Sequence, residues 1–261
     1  MYDLPDELRV EADGPIRIVT LNRPEERNPA STAMLFALTH LARSLARDED
    51  ARAVVLTGAG KAFSAGGDFQ HFVRCSQEPE LSQATLDNSR HFIKAMVDLP
   101  IPVVAAINGP AVGFGATLAG LCDIVLIAED AFFAEPHVNI GLAIGDGISV
   151  TWPLFMSLLK AKEYVLLGDR IPATDAVACG LANRVVAKEE LMPEALKLAQ
   201  RLAAQPRSAL IHSKAALNLS IKAMMGNVLD YVLDNQLAQT QSAEHRQIVE
   251  AMIAKQKRNQ K

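Results

Sequence analysis

The sequence predicts an α/β fold: a core in which strands and helices alternate, followed by a helical C-terminal region. Three observations carry this. Two glycine-rich turns, Phe63-Ser64-Ala65-Gly66-Gly67-Asp68 and Asn108-Gly109-Pro110-Ala111-Val112-Gly113-Phe114-Gly115, stand about 45 residues apart, each after a short apolar run of buried-strand character (residues 53–57 and 103–107). Strand-like and helix-like stretches recur in strand–strand–helix order. After Pro172 the strand-like runs give way to helical ones, and the change near residues 187–191 divides the chain into a core, 1–190, and a C-terminal helical region, 191–261.

Taken in order, residues 16–21 alternate as a half-buried strand does, and Asn22-Arg23-Pro24 ends it. Ser31 is placed to cap a helix running to about Arg47, with Met34, Leu35, Leu38, Leu41, Ala42 and Leu45 on one face. Residues 70–82 are largely polar and read as a mobile loop, and a helix then covers about 83–98 before Pro100 and Pro102. A helix is expected over 116–122, strands over 124–128 and 131–134, and a helix from about Ser149. The C-terminal part holds helices at 174–179, 191–205 and 207–219, and one long helix from about 228 to 255.

Composition narrows the function. A chain of 261 residues with 49% hydrophobic content buries a large core, and with 5% aromatics that core is filled by Ala, Leu, Val and Ile. The net charge of −4, without a basic run, argues against nucleic acid. No apolar stretch reaches the roughly 18 residues that span a bilayer, so no membrane association is expected. Cys75, Cys122 and Cys179 are scattered, without a CxxC, which speaks against disulfides and against a metal site. With an acidic N-terminus lacking a signal-peptide core, the expected location is the cytoplasm.

The two turns suggest the chemistry. Strand-end turns with small side chains can aim two backbone N–H groups at one point, the second at a helix start, and so stabilise a carbonyl oxygen that gains negative charge. One such donor is typically worth about 3–4 kcal/mol in the transition state. The same glycines also serve simply to tighten strand–helix connections.

The segments around the turns resemble the crotonase superfamily, the enoyl-CoA hydratase/isomerase family. The matching strings are Thr20-Leu21-Asn22-Arg23-Pro24 with Asn28, Val55-Leu56-Thr57-Gly58, Gly60-Lys61-Ala62-Phe63 through Asp68, residues 102–115, Cys122-Asp123-Ile124, and Gly168 through Val186. The resemblance implies a spiral of ββα repeats with a C-terminal helical trimerisation region, assembled as trimers or dimers of trimers. It implies a CoA thioester as substrate, with no tightly bound cofactor, and assigns the oxyanion-hole donors to the N–H groups of Gly67 and Phe114. Phe114 stands where many relatives have glycine, so its side chain must point away from the thioester. Ala65, Gly113, Thr117, Gly141 and Gly145 fall at substrate-pocket positions, and Arg23, Lys61, Ala62 and Lys255 at CoA-binding ones. As residues alone, these three cations are also ordinary surface charges.

Hydratases of the family divide acid/base work between two glutamates; the matching positions here are Thr117 and His137. A threonine hydroxyl is no base near neutral pH. His137 titrates near neutrality and is the candidate proton carrier. Asp146, in Gly145-Asp146-Gly147, is either a turn residue before a helix or a carboxylate in the acyl pocket. In the second case it orients His137 or is itself the base. Glu135 lies two residues before His137, with Pro136 between them, and is expected to be solvated. Pro136-His137, Gly145-Asp146-Gly147 and Trp152-Pro153 also resemble the β-diketone hydrolases of the superfamily, which makes retro-Claisen cleavage an alternative reaction. A non-catalytic acyl-CoA-binding protein is a further alternative. Retention of Gly113 and Gly115 favours an enzyme acting on a CoA ester through an enolate, with an unusual His/Asp acid–base set.

Overall fold

The computed structural model describes residues 2–145 and 147–259, with side chains described as far as residue 254. Asp146 therefore lies outside the described residues, and Lys255 is described only as part of a helix.

The strands are β1 (Leu8–Asp13), β2 (Ile16–Leu21), β3 (Ala53–Gly58), β4 (Val103–Ile107), β5 (Ala111–Val112), β6 (Ile124–Ala128), β7 (Phe132–Ala134), β8 (Arg170–Pro172) and β9 (Arg184–Val186). They form a six-stranded sheet in the order β1-β2-β3-β4-β6-β9 and a three-stranded sheet in the order β5-β7-β8. β1 and β2 pair as an antiparallel hairpin, while β2, β3, β4, β6 and β9 run parallel. Parallel strands need both faces covered, and β3 and β4 are buried at every position, which is why each reads as an unbroken apolar run.

Helices supply the cover. α1 (Thr32–Leu45) begins where the Ser31 hydroxyl accepts the Met34 N–H at 3.1 Å, the cap expected from sequence. It lies on α3 (Pro79–Asp98), which buries Phe92, Ile93, Met96 and Val97. Between them stands α2 (Phe69–Gln77), within the segment expected to be a loop. Asp68 caps α2 by accepting the Gln70 N–H at 2.8 Å, and its buried face consists of His71 and Cys75, one turn apart. A helix whose inner face is a histidine and a cysteine gives almost no apolar periodicity, which is why this segment reads as a loop.

α4 (Phe114–Gly120) follows the second turn and packs on α5 (Ile148–Phe155). α6 (Leu158–Leu167) and α7 (Ala173–Cys179) flank β8. α8 (Leu191–Ala203) lies across β2, β3, β4 and β6, and buries Leu191, Ala195, Leu198 and Ala199. α9 (Arg207–Leu217) leads to α10 (Leu219–Thr240) and α11 (Ala243–Asn259). The long C-terminal helix expected over 228–255 is thus two helices, broken at Gln241 and Ser242. The break lets α11 turn back onto α2. Among the described residues, no helix is long and apolar enough to cross a membrane.

Candidate active site

The two glycine turns are bolted together. The Asn108 carboxamide accepts the Gly58 N–H at 3.1 Å and donates to the Gly60 carbonyl at 3.1 Å. Asn28, fully buried, donates to the carbonyls of Ala59 and Ala62 at 2.8 and 2.9 Å. The turns approach so closely that a Cβ on Gly109 would stand 2.2 Å from the Lys61 carbonyl oxygen. Ser64 and Ala111 form a parallel bridge, and Val112 donates to the Ser64 carbonyl at 3.0 Å.

This clamp fixes where the two expected donors point. Gly67 pairs with Ala30 through bonds made by its neighbours, Ala30 N–H to the Gly66 carbonyl and Asp68 N–H to the Ala30 carbonyl. In a parallel bridge that leaves the N–H of Gly67 directed away from Ala30. Phe114 is the first residue of α4, where helical N–H groups lack an intrahelical partner. Gly113 before it adopts φ +50°, ψ −113°, a conformation that side chains other than hydrogen rarely tolerate. Among the described residues neither N–H has an acceptor. Gly67 and Phe114 line the same cleft. The Phe114 ring leans on Phe92, with ring centroids 5.6 Å apart.

His137 stands beside this pair of turns. A Cβ placed on Gly113 would lie 3.6 Å from His137 Cε1 and 3.9 Å from Gly66 Cα, so the imidazole sits against the apposed glycines. Its Nδ1 meets the Glu135 carboxylate, which also accepts the His137 backbone N–H at 3.2 Å. Glu135 is 0% exposed. The expectation of a solvated Glu135 is therefore corrected. Pro136, at φ −92°, ψ 20°, starts a short 3-10 turn over His137–Ile140 that folds the two side chains together. A carboxylate on Nδ1–H leaves Nε2 as the nitrogen with the lone pair and strengthens it as a base. The second Glu135 oxygen is buried without a hydrogen-bond partner among the described residues.

The other expected residues are scattered around this centre. Thr117 is buried one turn into α4, its hydroxyl without a partner among the described residues, and it is not among the residues lining the cleft. Gly141 (φ +70°) ends the 3-10 turn and faces α11, 3.5 Å from His245 Cα by its absent Cβ. Gly145 abuts the Gln236 carboxamide. Arg23 is engaged with carboxylates, at 2.8 Å from both Asp68 and Glu26, and so ties the chain after β2 to the cap of α2. Lys61 is exposed at the tip of the first turn, Ala62 is buried beneath it and Ala65 is exposed, its N–H donating to the Arg27 carbonyl at 2.8 Å.

The cleft, about 620 Å³ including its open mouth, extends from Gly67, Phe114 and His137 between α2, α3 and α10. Its further walls hold residues not anticipated from sequence: His71, Cys75, Ser82, Thr85, Gln236 and Thr240. The i, i+4 pairs His71/Cys75 and Gln236/Thr240 are the signal that marks them as sharing helix faces. Burial pulls the His71 pKa down to about 4, with the Asp68 charge opposing and the Arg74 charge adding to the effect. Burial likewise pushes the Cys75 thiol up. His245, on α11, is lowered by burial despite its 2.6 Å hydrogen bond to the Ile140 carbonyl, and the charge of His137 lowers it further.

Comparison with known proteins gives a consistent result. Residues 11–261 match the family model described as enoyl-CoA hydratase/isomerase. A 1,2-epoxyphenylacetyl-CoA isomerase of Escherichia coli is 33% identical over 242 residues, covering 92% of each chain. A putative enoyl-CoA hydratase of Thermus thermophilus is 37% identical over 210 residues, 78% of this chain and 81% of the relative. A solved enoyl-CoA hydratase/isomerase from Mycobacterium paratuberculosis superposes with a TM-score of 0.93 at 44% identity, covering 96% of this chain and all of the other.

Proposed function

The chain belongs to the enoyl-CoA hydratase/isomerase family, and from that premise we propose that it moves protons on an acyl-CoA thioester by way of an enolate. The observation that supports this reading most directly is the apposition of His137 to the two glycine turns, beside two N–H groups without acceptors among the described residues. The thioester oxygen lies between the Gly67 and Phe114 N–H groups. His137 Nε2 removes a proton from the α carbon, the electron pair moves onto the oxygen, and the two N–H groups hold the resulting negative charge. For a 3-enoyl ester the double bond then shifts and the proton returns at the γ carbon. One buried base suffices for that exchange, so isomerisation fits the site better than hydration, which in relatives of the two-glutamate type uses a second carboxylate.

Should water be added instead, Asp146 is proposed as the group that activates it, on the sequence argument alone; its neighbours Gly145 and Gly147 abut Gln236 and Thr117. Lys61 and Lys255 are proposed as contacts of the CoA phosphates. Self-association as a trimer or dimer of trimers, in the cytoplasm, completes the reading.

The test is mass spectrometry of 2-enoyl-, 3-enoyl- and β-ketoacyl-CoA esters incubated with the protein in deuterated water. Deuterium uptake with a displaced double bond is expected, and His137→Gln abolishes it. Addition of water without a shift would replace isomerisation by hydration, and two fragments would mean carbon–carbon cleavage. No turnover of any ester would defeat the enzymatic reading.

A further inference from the structure

The cleft that receives the acyl group in this reading has a largely apolar wall interrupted by a polar part. Its thioester end is set by Gly67, Phe114 and His137, and apolar contact comes from Leu35, Phe72, Leu86 and Leu142. The part between α3 and α10 is different. Ser82, near the start of α3, is 2% exposed, and Gln236, on α10, is 9% exposed. Both line the cleft, and among the described residues neither side chain makes a hydrogen bond. Two polar side chains more than nine-tenths buried, without partners among the described residues and bordering one cavity, are satisfied by what fills it. An alkyl chain would displace water from both and return nothing.

The charge of the wall narrows the choice of ligand group. Among the described residues lining the cleft there is no Lys, Arg, Asp or Glu. Of the titratable side chains among these lining residues, His71, Cys75 and His137, His71 is held neutral near pH 7 by burial. Its Nδ1 is engaged with the Thr32 hydroxyl at 2.7 Å. A carboxylate would meet no cation here, whereas a hydroxyl or carbonyl would find a carboxamide, which donates and accepts, and a hydroxyl, which does both.

Resting on the acyl-CoA reading above, we infer that the acyl group of the substrate carries a neutral oxygen, a hydroxyl or ketone, beyond its reacting carbons, and that Ser82 and Gln236 receive it. They set specificity and take no part in proton transfer.

The test compares a medium-chain enoyl-CoA with its counterpart bearing a hydroxyl on the distal half of the chain. Wild type is expected to favour the oxygenated ester in kcat/KM by about ten-fold or more, since a site built to hydrogen-bond an oxygen discriminates strongly against its absence. Ser82→Ala and Gln236→Leu are each expected to lower the ratio between the two esters by about ten-fold, with circular dichroism and thermal melting confirming the fold. Calorimetric titration with the two saturated analogues gives the same comparison as dissociation constants, which decides the matter if turnover is slow. Equal treatment of both esters by wild type, or an unchanged ratio in both folded variants, overturns the inference alone. Failure to bind either CoA ester overturns the acyl-CoA reading and the inference with it.

Discussion

At the scale of single residues, the His137–Glu135 pair decides whether this site can do acid/base work. The carboxylate is fully buried and bonded both to the imidazole and to the backbone N–H of the same histidine, so it fixes ring orientation and tautomer together. Removing the imidazole removes the proton carrier, and His137→Gln is expected to lower kcat by about 10²–10⁴-fold with the thioester still bound. Glu135→Gln keeps the shape and loses the charge, and is expected to lower kcat with a smaller change in KM. It also moves the pH–rate profile to lower pH, because the base weakens. Equal pH profiles for wild type and Glu135→Gln would remove Glu135 from this role. The glycine clamp gives a separate prediction. Gly109→Ala forces a Cβ to within 2.2 Å of the Lys61 carbonyl oxygen, a backbone atom that cannot swing aside. Destabilisation of about 2–4 kcal/mol in urea unfolding is expected, as for other forced overpacking and strain. Gly67→Ala meets the tip of the Phe72 ring instead, a side chain able to rotate, so stability should hold while the acyl cleft changes shape.

Among the elements, α2 carries a pH dependence of its own. His71 is 5% exposed and its pKa is depressed to about 4 from 6.5, chiefly by burial. The unfolded chain then binds a proton that the folded state refuses. Stability is fully present above about pH 6.5 and is lost as pH falls towards 4, by an amount on the order of 3 kcal/mol. Urea midpoints measured across that window are expected to fall for wild type and to fall less for His71→Gln. Parallel curves would show that the loss arises elsewhere. The same helix marks the limit of what the sequence discloses. Strands β3 and β4 and both glycine turns are legible because continuous apolar runs and glycines follow directly from parallel pairing and close backbone approach. The inner face of α2 is legible only through its Asp68 cap, since His71 and Cys75 are not the apolar pair that helical periodicity looks for. Glu135 is hidden for a similar reason: a glutamate is normally solvated, and burial needs a partner that only the turn at Pro136 brings to it. Gln236 and Ser82 belong to the cleft through packing between α3 and α10, separated by more than 150 positions in the chain, and nothing local announces that meeting.

For the molecule as a whole, the apolar surface is unevenly placed. α6 exposes Leu158, Leu159, Leu166 and Leu167, with Leu159 81% exposed, and Val138 lies exposed in the turn that carries His137. α9 and α10 add Leu217, Leu219 and Tyr231. Large apolar side chains gathered exposed on one helix mark a surface that is covered in use. The occupant proposed above is a second copy of the chain, since an assembly would bury such a face permanently and need no other partner. This face is also connected to the site. Gly168, which ends α6 at φ +69°, packs so tightly on Asn139 of the His137 turn that a Cβ there would stand 2.5 Å from its side-chain nitrogen. Covering α6 would therefore restrain the turn that positions His137 and Glu135. Sedimentation velocity is expected to give a species of three or six 28.2 kDa chains. Leu159→Glu combined with Leu167→Glu places two charges on the covered face and is expected to yield smaller species with reduced kcat, with the monomer fold retained by circular dichroism. A wild type that sediments as a monomer would sink the assembly argument. A charged variant that dissociates yet keeps full kcat would sever the link between the face and the site while leaving the assembly itself intact.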